Sequence, residues 1–167
     1  MSSTDKLTHL YDGEGFVLAS EYLLAGLNAP MSCAMLLAID VGNLKVIEHG
    51  LGREPVDLVL IRTADILRGV FRGAVIGRLG VDRFAVLIMA SPAKCTELIA
   101  ALNEDIDAAN VADPNIYLSL GGEYYLFDPG RSDSIESWTK SKYRSKTIKP
   151  STEGVVVCDE SNSSSRF

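Results

Sequence analysis

The sequence has few residues of the types that build disulfide frameworks and metal centres, with three cysteines and two histidines among 167 residues. Cys33, Cys95 and Cys158 lie far apart and form no CxxC pair, which excludes the spacing of a structural zinc site. They indicate buried thiols in a reducing compartment instead. The length and the apolar content are sufficient for one domain with its own core.

An excess of positive charge and a long apolar run are also missing. The net charge is -6 and no stretch forms a basic stripe, which argues against a nucleic-acid-binding surface. The longest apolar run, residues 33–39, is far shorter than the about 20 residues that cross a bilayer. The N-terminal residues contain no apolar core of a signal peptide. We therefore expect a cytoplasmic protein with no membrane segment and no nucleic-acid partner.

Two short apolar runs, residues 74–79 and 84–89, flank a turn that carries an acid and a base. This pattern predicts a β-hairpin with Asp82 and Arg83 at its tip. Another apolar run ends at Asp40 and predicts a buried strand. If these strands are neighbours, Asp40 and Asp82 converge at one end of a sheet and offer oxygen ligands to a divalent cation such as Mg²⁺. The alternative is that one Asp ends a strand and the other fills a turn.

The order of the predicted elements favours one α+β domain over residues 1–158, with a central, mostly antiparallel sheet of about five strands flanked by helices. The Ser-rich residues 159–167 are predicted to form a flexible tail. Apolar spacing and short apolar runs place helices at 16–28, 45–49, 54–70, 92–106 and 133–146, and strands at 33–39, 74–79, 84–89, 115–125 and 154–158.

Four motifs then occur in an ordered series, the last of them a faint match of residues 138–146 to A-D-x-A-L-Y-x-A-K. Residues 5–16 partly match D-x-L-T-G-L-x-N-R-x-x-F, and residues 40–57 partly match D-x-D-x-F-K-x-I-N-D-x-x-G-H-x-x-G-D without a gap. A third motif, G-G-D/E-E-F, corresponds to Gly80-Val81-Asp82-Arg83-Phe84. In these motifs the chain resembles the GGDEF family, the diguanylate cyclases that condense two GTP into cyclic di-GMP. The resemblance implies a nucleotide-cyclase-like fold.

The same resemblance implies the positions of a nucleotide and metal site. The family's metal ligands correspond to Asp40, to the carbonyl of Val41 and to Asp82. The residues that would face the base and the phosphates of GTP are Asp57, Glu48, Lys45 and Lys146.

Several positions depart from the family pattern in their chemistry. Val81 replaces a glycine that would let the nucleotide approach the backbone. Arg83 replaces a glutamate, and a guanidinium cannot be a metal ligand and repels Mg²⁺. Glu48 replaces the guanine-reading asparagine and cannot donate hydrogen bonds when ionised. Further departures are Gly42 for an aspartate, Pro150 for an arginine, and Phe71 and Ala74 for the R-x-x-D pair of the product-inhibition site.

From these departures we predict a catalytically inactive GGDEF domain with a regulatory or dimerisation role in bacterial cyclic di-GMP signalling. One alternative is an active diguanylate cyclase with an unusual signature. Another is a module that binds GTP and controls an adjacent or separate phosphodiesterase domain. The expected partners are accordingly GTP, a second copy of the domain or such a phosphodiesterase domain, with Mg²⁺ only if GTP is bound.

Overall fold

The structure is a four-stranded antiparallel sheet with helices on both faces. The computed structural model describes residues 3–26, 34–127, 158–159 and 165–166. In chain order, its elements are α1 Gly13–Ala25, β1 Ala34–Val41, α2 Leu44–Leu51, α3 Arg53–Val70, β2 Val75–Arg78, β3 Arg83–Met89, α4 Pro92–Ala112, β4 Leu120–Phe127, β5 Cys158–Asp159 and β6 Ser165–Arg166. The sheet has the strand order β2-β3-β1-β4.

The central position of β1 explains why its sequence is a continuous apolar run. It pairs with β3 on one side and with β4 on the other. Successive side chains point to opposite faces, so Met35, Leu37 and Ile39 join the larger core under α3 and α4. Ala34 and Leu36 belong to a smaller cluster on the face that α1 covers. Because both faces are buried, the strand needs no polar alternation.

A close approach between α1 and the edge strand β2 depends on Gly77. A Cβ atom at Gly77 would lie 2.7 Å from the Cβ of Phe16, whose side chain is fully buried. The start of α1 is fixed by Asp12, which accepts a hydrogen bond of 2.8 Å from the backbone N–H of Gly15. This packing places α1 against the β2–β3 hairpin, called the signature hairpin because it carries residues 80–84, which correspond to G-G-D/E-E-F.

The structure confirms most of the predicted elements and moves several of their boundaries. The first helix begins at Gly13 rather than at residue 16, and α4 extends to Ala112 rather than ending at residue 106. Ser91 caps α4 by accepting a 3.2 Å hydrogen bond from the N–H of Lys94, and Pro92 opens the helix as predicted. The strand predicted from residue 115 begins only at Leu120. The cause is Asn110, whose amide group bonds both the N–H of Leu118, at 2.6 Å, and its carbonyl, at 2.9 Å. These two hydrogen bonds hold the residues just before β4 in a loop.

The central sheet has four strands, where the sequence predicted about five. The predicted last strand, 154–158, falls within the described residues only at Cys158, and Cys158–Asp159 pairs with Ser165–Arg166 in a separate ladder. The predicted helix 133–146 lies outside the described residues. Among the helices that the structure describes, none is long and apolar enough to cross a membrane.

His9 adopts a left-handed backbone conformation that the aligned family motif assigns to glycine. Its φ angle is 62°, and its N–H donates a 2.8 Å hydrogen bond to the carbonyl of Asp5. A side chain with a Cβ atom is strained in this region, whereas glycine is not. Asn43 has a similar φ of 65°, but asparagine tolerates this conformation better than histidine does.

We predict that His9→Gly raises the free energy of unfolding by about 0.5–1 kcal/mol, the relieved strain less the added flexibility of the unfolded chain. Urea unfolding followed by circular dichroism measures the change. His9→Ala is the matched control and should give no such gain, because alanine keeps the strain. Equal stabilisation by both variants would show that the histidine side chain, rather than the backbone angle, is unfavourable.

Candidate functional site

The register of the β1–β3 pair brings Asp40 to the signature hairpin. Asp40 lies directly opposite Arg83, and the N–H of Val41 donates a 2.8 Å hydrogen bond to the carbonyl of Asp82. The prediction that Asp40 and Asp82 lie at the same end of neighbouring strands is therefore confirmed. The carboxyl end of β1 and the tip of the β2–β3 hairpin form one site at this edge of the sheet.

Within this site, Arg83 forms an ion pair with Asp40. The Nε atom of Arg83 is 3.3 Å from Oδ1 of Asp40, and their side chains are 35% and 20% exposed. This oxygen is buried and accepts no hydrogen bond from the described part of the chain. The contact is therefore electrostatic, between opposite charges that are partly shielded from water.

The surroundings of Asp40 disfavour its ionised form. Burial raises the pKa of Asp40 to about 6, the positive charge of Arg83 opposes this change, and the negative charges of Asp82 and Glu123 add to it. Glu123 is 6% exposed on β4, opposite Ala38 of β1. The sequence analysis missed Glu123. A single acid inside the apolar run of β4 is the signal that could have identified it.

The hairpin tip is held by Arg78 and presents Val81 to solvent. Arg78 donates hydrogen bonds from Nε and one terminal nitrogen to the carbonyl of Val81, at 3.2 and 2.8 Å. Its other terminal nitrogen lies 3.1 Å from a carboxylate oxygen of Asp5. Burial raises the pKa of Asp5, but hydrogen bonds from Thr8 and Arg78 outweigh it, so that this pKa lies below its usual value. The side chain of Val81 is 68% exposed.

The positions predicted to face a nucleotide lie on α2 and α3, two helices that pack against each other. Lys45 and Glu48 are exposed on α2. Asp57 is half-buried on α3 and lies 3.9 Å from Arg53, one turn earlier in the same helix. Lys146 lies outside the described residues. Three of the four predicted nucleotide positions thus fall on one helix pair, and their roles stay predictions.

As they stand, the residues at this edge of the sheet do not fit Mg²⁺. The ion prefers several oxygen ligands in octahedral geometry, and no cluster of three or more acidic, histidine or cysteine side chains suited to a metal occurs in the parts of the chain that the structure covers. The guanidinium of Arg83 also lies against the carboxylate that would be the first ligand. A metal ion at Asp40, Val41 and Asp82 would have to displace this cation.

The fold and the hairpin site are those of a nucleotide-cyclase-like domain, and comparison with known proteins specifies the family. The family "Diguanylate cyclase, GGDEF domain" matches residues 2–140. The chain therefore belongs to the GGDEF family. No curated protein matches its sequence.

Solved structures show the same fold at low sequence identity. The GGDEF domain of DgcB from Caulobacter crescentus, solved with c-di-GMP, has a TM-score of 0.69 at 16% identity. The match covers 94% of this chain and 96% of the DgcB chain. The GGDEF domain of YfiN from Pseudomonas aeruginosa has a TM-score of 0.68 at 24% identity, covering 92% and 93%. The diguanylate cyclase SiaD from P. aeruginosa, solved with its activator SiaC, has a TM-score of 0.68 at 16% identity, covering 86% and 55%.

The raised pKa of Asp40 predicts a pH dependence of stability. The folded state binds the proton of the Asp40 carboxyl group more tightly than the unfolded state does. The contribution of Asp40 to the free energy of unfolding therefore falls as the pH rises from 3.8, the ordinary pKa, through about 6, the pKa in the folded state. The loss should be on the order of 3 kcal/mol by neutral pH.

Asp40→Asn should remove this pH-dependent loss of stability. Urea unfolding between pH 4 and pH 8 in the presence of EDTA would measure it. Asp65→Asn changes an exposed carboxylate, 66% accessible, and is the matched control that should keep the loss. The prediction would be wrong in sign if the wild-type free energy of unfolding rose between pH 4 and pH 8 and Asp40→Asn abolished that rise.

Proposed function

We propose that this domain is a catalytically inactive GGDEF domain that has a regulatory or dimerisation role in cyclic di-GMP signalling. The ion pair between Arg83 and Asp40 is the observation that carries the proposal. It sets a fixed positive charge against the first metal position of the site. Its partner Asp40 is thereby committed to a contact within the protein.

The chemistry of the family explains why this charge matters. Metal ions in phosphoryl transfer activate the attacking hydroxyl and stabilise the charge on the phosphate. In this chain, Arg83 supplies a cation but no oxygen ligand. Val81 adds a side chain at the hairpin tip where the family has glycine, which supports exclusion of the nucleotide from the backbone. Both changes act against binding of the phosphates.

The retained features support a role for the intact domain. The N-terminal motif is tied to the hairpin through Asp5 and Arg78, at 3.1 Å, so this part of the GGDEF architecture persists. A folded domain with a disabled site can still contact a second copy or another protein. SiaD, a structural neighbour, binds an activator protein. We infer that this chain acts through such contacts, with a second copy or with a phosphodiesterase domain.

We predict that the purified domain makes no detectable cyclic di-GMP from GTP and Mg²⁺. Loss of one transition-state contact costs about 10²–10³ in rate, and two are lost here. Chromatographic analysis of the product measures this. An intact family member, assayed in parallel, shows that the assay detects turnover. Turnover within a few-fold of that control would instead favour the active enzyme.

The double variant Val81→Gly, Arg83→Glu tests whether these two residues disable the pocket. It removes a side chain from the hairpin tip and replaces a cation with an oxygen ligand. We expect measurable Mg²⁺-dependent binding of GTP by calorimetry, where the wild type shows none. Tight GTP binding by the wild type without turnover would favour the GTP-binding module. A folded double variant that binds no GTP would place the defect elsewhere in the pocket.

Product binding next to the hairpin is also expected to be absent. Phe71, at the arginine position of the family's R-x-x-D pair, is 1% exposed and belongs to the core, and Ala74 has no carboxylate. Neither residue can supply the guanidinium fork that binds an anion in two-point fashion. Calorimetric titration with cyclic di-GMP should detect no saturable binding. Binding that Ala74→Lys abolishes would contradict this prediction.

A further inference from the structure

Glu123 is a buried carboxylate that neither the sequence motifs nor the proposed reaction explains. It is 6% exposed within β4, a strand that is otherwise apolar or glycine around it. Burial of an ionised carboxylate is costly unless a positive charge or hydrogen bonds compensate it. We therefore ask which charged residues lie beside Glu123 in the sheet.

Strand register places Glu123 on the same face of the sheet as the Asp40–Arg83 pair. Glu123 lies opposite Ala38 of β1, and Asp40 lies two residues further along β1 on the same face. Asp40 in turn lies opposite Gly121 on β4 and opposite Arg83 on β3. Glu123 and Asp40 are thus diagonal neighbours across one strand pair, a relation in which long side chains still interact.

The small residues between these groups leave room for the arginine side chain. Ala38 separates Glu123 from β3, where Ala85 lies directly opposite it. Adjacent strands are about 4.8 Å apart, so β3 and β4 are separated by about 10 Å across β1. A long, flexible arginine stem extends over such small side chains more easily than over branched ones.

The charges at this end of the sheet are unequal. The carboxylates of Asp82 and Glu123 are close enough to Asp40 to disfavour its ionisation, and one guanidinium, that of Arg83, lies 3.3 Å from Asp40. Like charges in a partly dry site repel each other, and a cation beside them reduces this repulsion. Arg83 is the cation in contact with Asp40.

We propose that Arg83 is a built-in counter-ion that takes the place of a metal ion at this edge of the sheet, offsetting part of the negative charge of Asp40, Asp82 and Glu123 and making the stability of the domain independent of divalent cations. This inference rests on the proposed function, since it explains how a disabled site remains folded. It goes further by giving Arg83 a structural role and by assigning Glu123 to the group of carboxylates whose charge Arg83 partly offsets.

Thermal unfolding without nucleotide, in MgCl₂ or MnCl₂ against NaCl of equal ionic strength, tests the proposal. The wild-type midpoint should not respond to either divalent cation. Arg83→Gln should lower the midpoint by about 4–8 °C, as expected for loss of a partly buried charge in a domain of this size. Millimolar Mn²⁺ or Mg²⁺ should recover part of that loss, because Asp40 then lacks the counter-ion that lies beside it in the wild type. Arg83→Lys keeps the charge and should remain insensitive.

Arg62→Gln is the matched control. Arg62 pairs with Asp113 at 2.9 Å, and the two side chains are 32% and 34% exposed, which resembles the exposure of Arg83. Its removal should produce no response to divalent cations. A wild-type midpoint that rises with Mg²⁺, or an Arg83→Gln midpoint that is unchanged or indifferent to both cations, would overturn the proposal.

Glu123→Gln provides a second measurement that does not depend on the folding of Arg83→Gln alone. In the Arg83→Gln background, this change should raise the midpoint, because it removes one uncompensated negative charge. If Arg83→Gln does not fold, the double variant should still fold, and its failure to do so would count against the proposal. No nucleotide is used, so these results can fail while the turnover assay still supports an inactive domain.

Discussion

The antiparallel pairing of β1 with β3 is the constraint on which the site depends. Its register sets Asp40 opposite Arg83 and lets the N–H of Val41 bond the carbonyl of Asp82 at 2.8 Å. A slip of one residue would move Asp40 to the opposite face and put apolar side chains of β1 in its place. The apolar layers on both faces oppose such a slip, since it would move the side chains of each layer to the opposite face of the sheet. Packing far from the hairpin thus fixes the geometry of its charges.

That geometry changes the meaning of a single substitution in the signature. At an exposed position, an arginine in place of a glutamate would be a minor change, because water screens the charge. Here the partner carboxylate is only 20% exposed and has a buried oxygen. Arg83 therefore acts where the dielectric constant is lower and each charge has a larger effect. The same burial raises the pKa of Asp40 to about 6, despite the opposite charge beside it.

The sequence predicted the parts of this site that local patterns encode. The hairpin followed from two apolar runs, and the cap at Ser91 followed from a serine before a proline. Convergence of Asp40 and Asp82 required only that β1 and β3 be neighbours. Glu123 stands out as a single acid in an apolar run, but its place beside Asp40 could not be predicted in this way, because it depends on pairing between strands about 80 residues apart in sequence, beyond the reach of local periodicity. The start of β4 was misplaced for a related reason, since Asn110 on a helix holds the loop before it.

The proposed replacement of a metal ion by a tethered guanidinium would also change how such a site responds to its surroundings. A bound divalent cation exchanges with solvent, and its ligand set can open to admit a phosphate group. The guanidinium of Arg83 is covalently attached and cannot leave. Its attraction for phosphate must compete with carboxylates already beside it. In the proposed state, the edge of the sheet that is exchangeable in a metal-dependent enzyme is a permanent part of the fold.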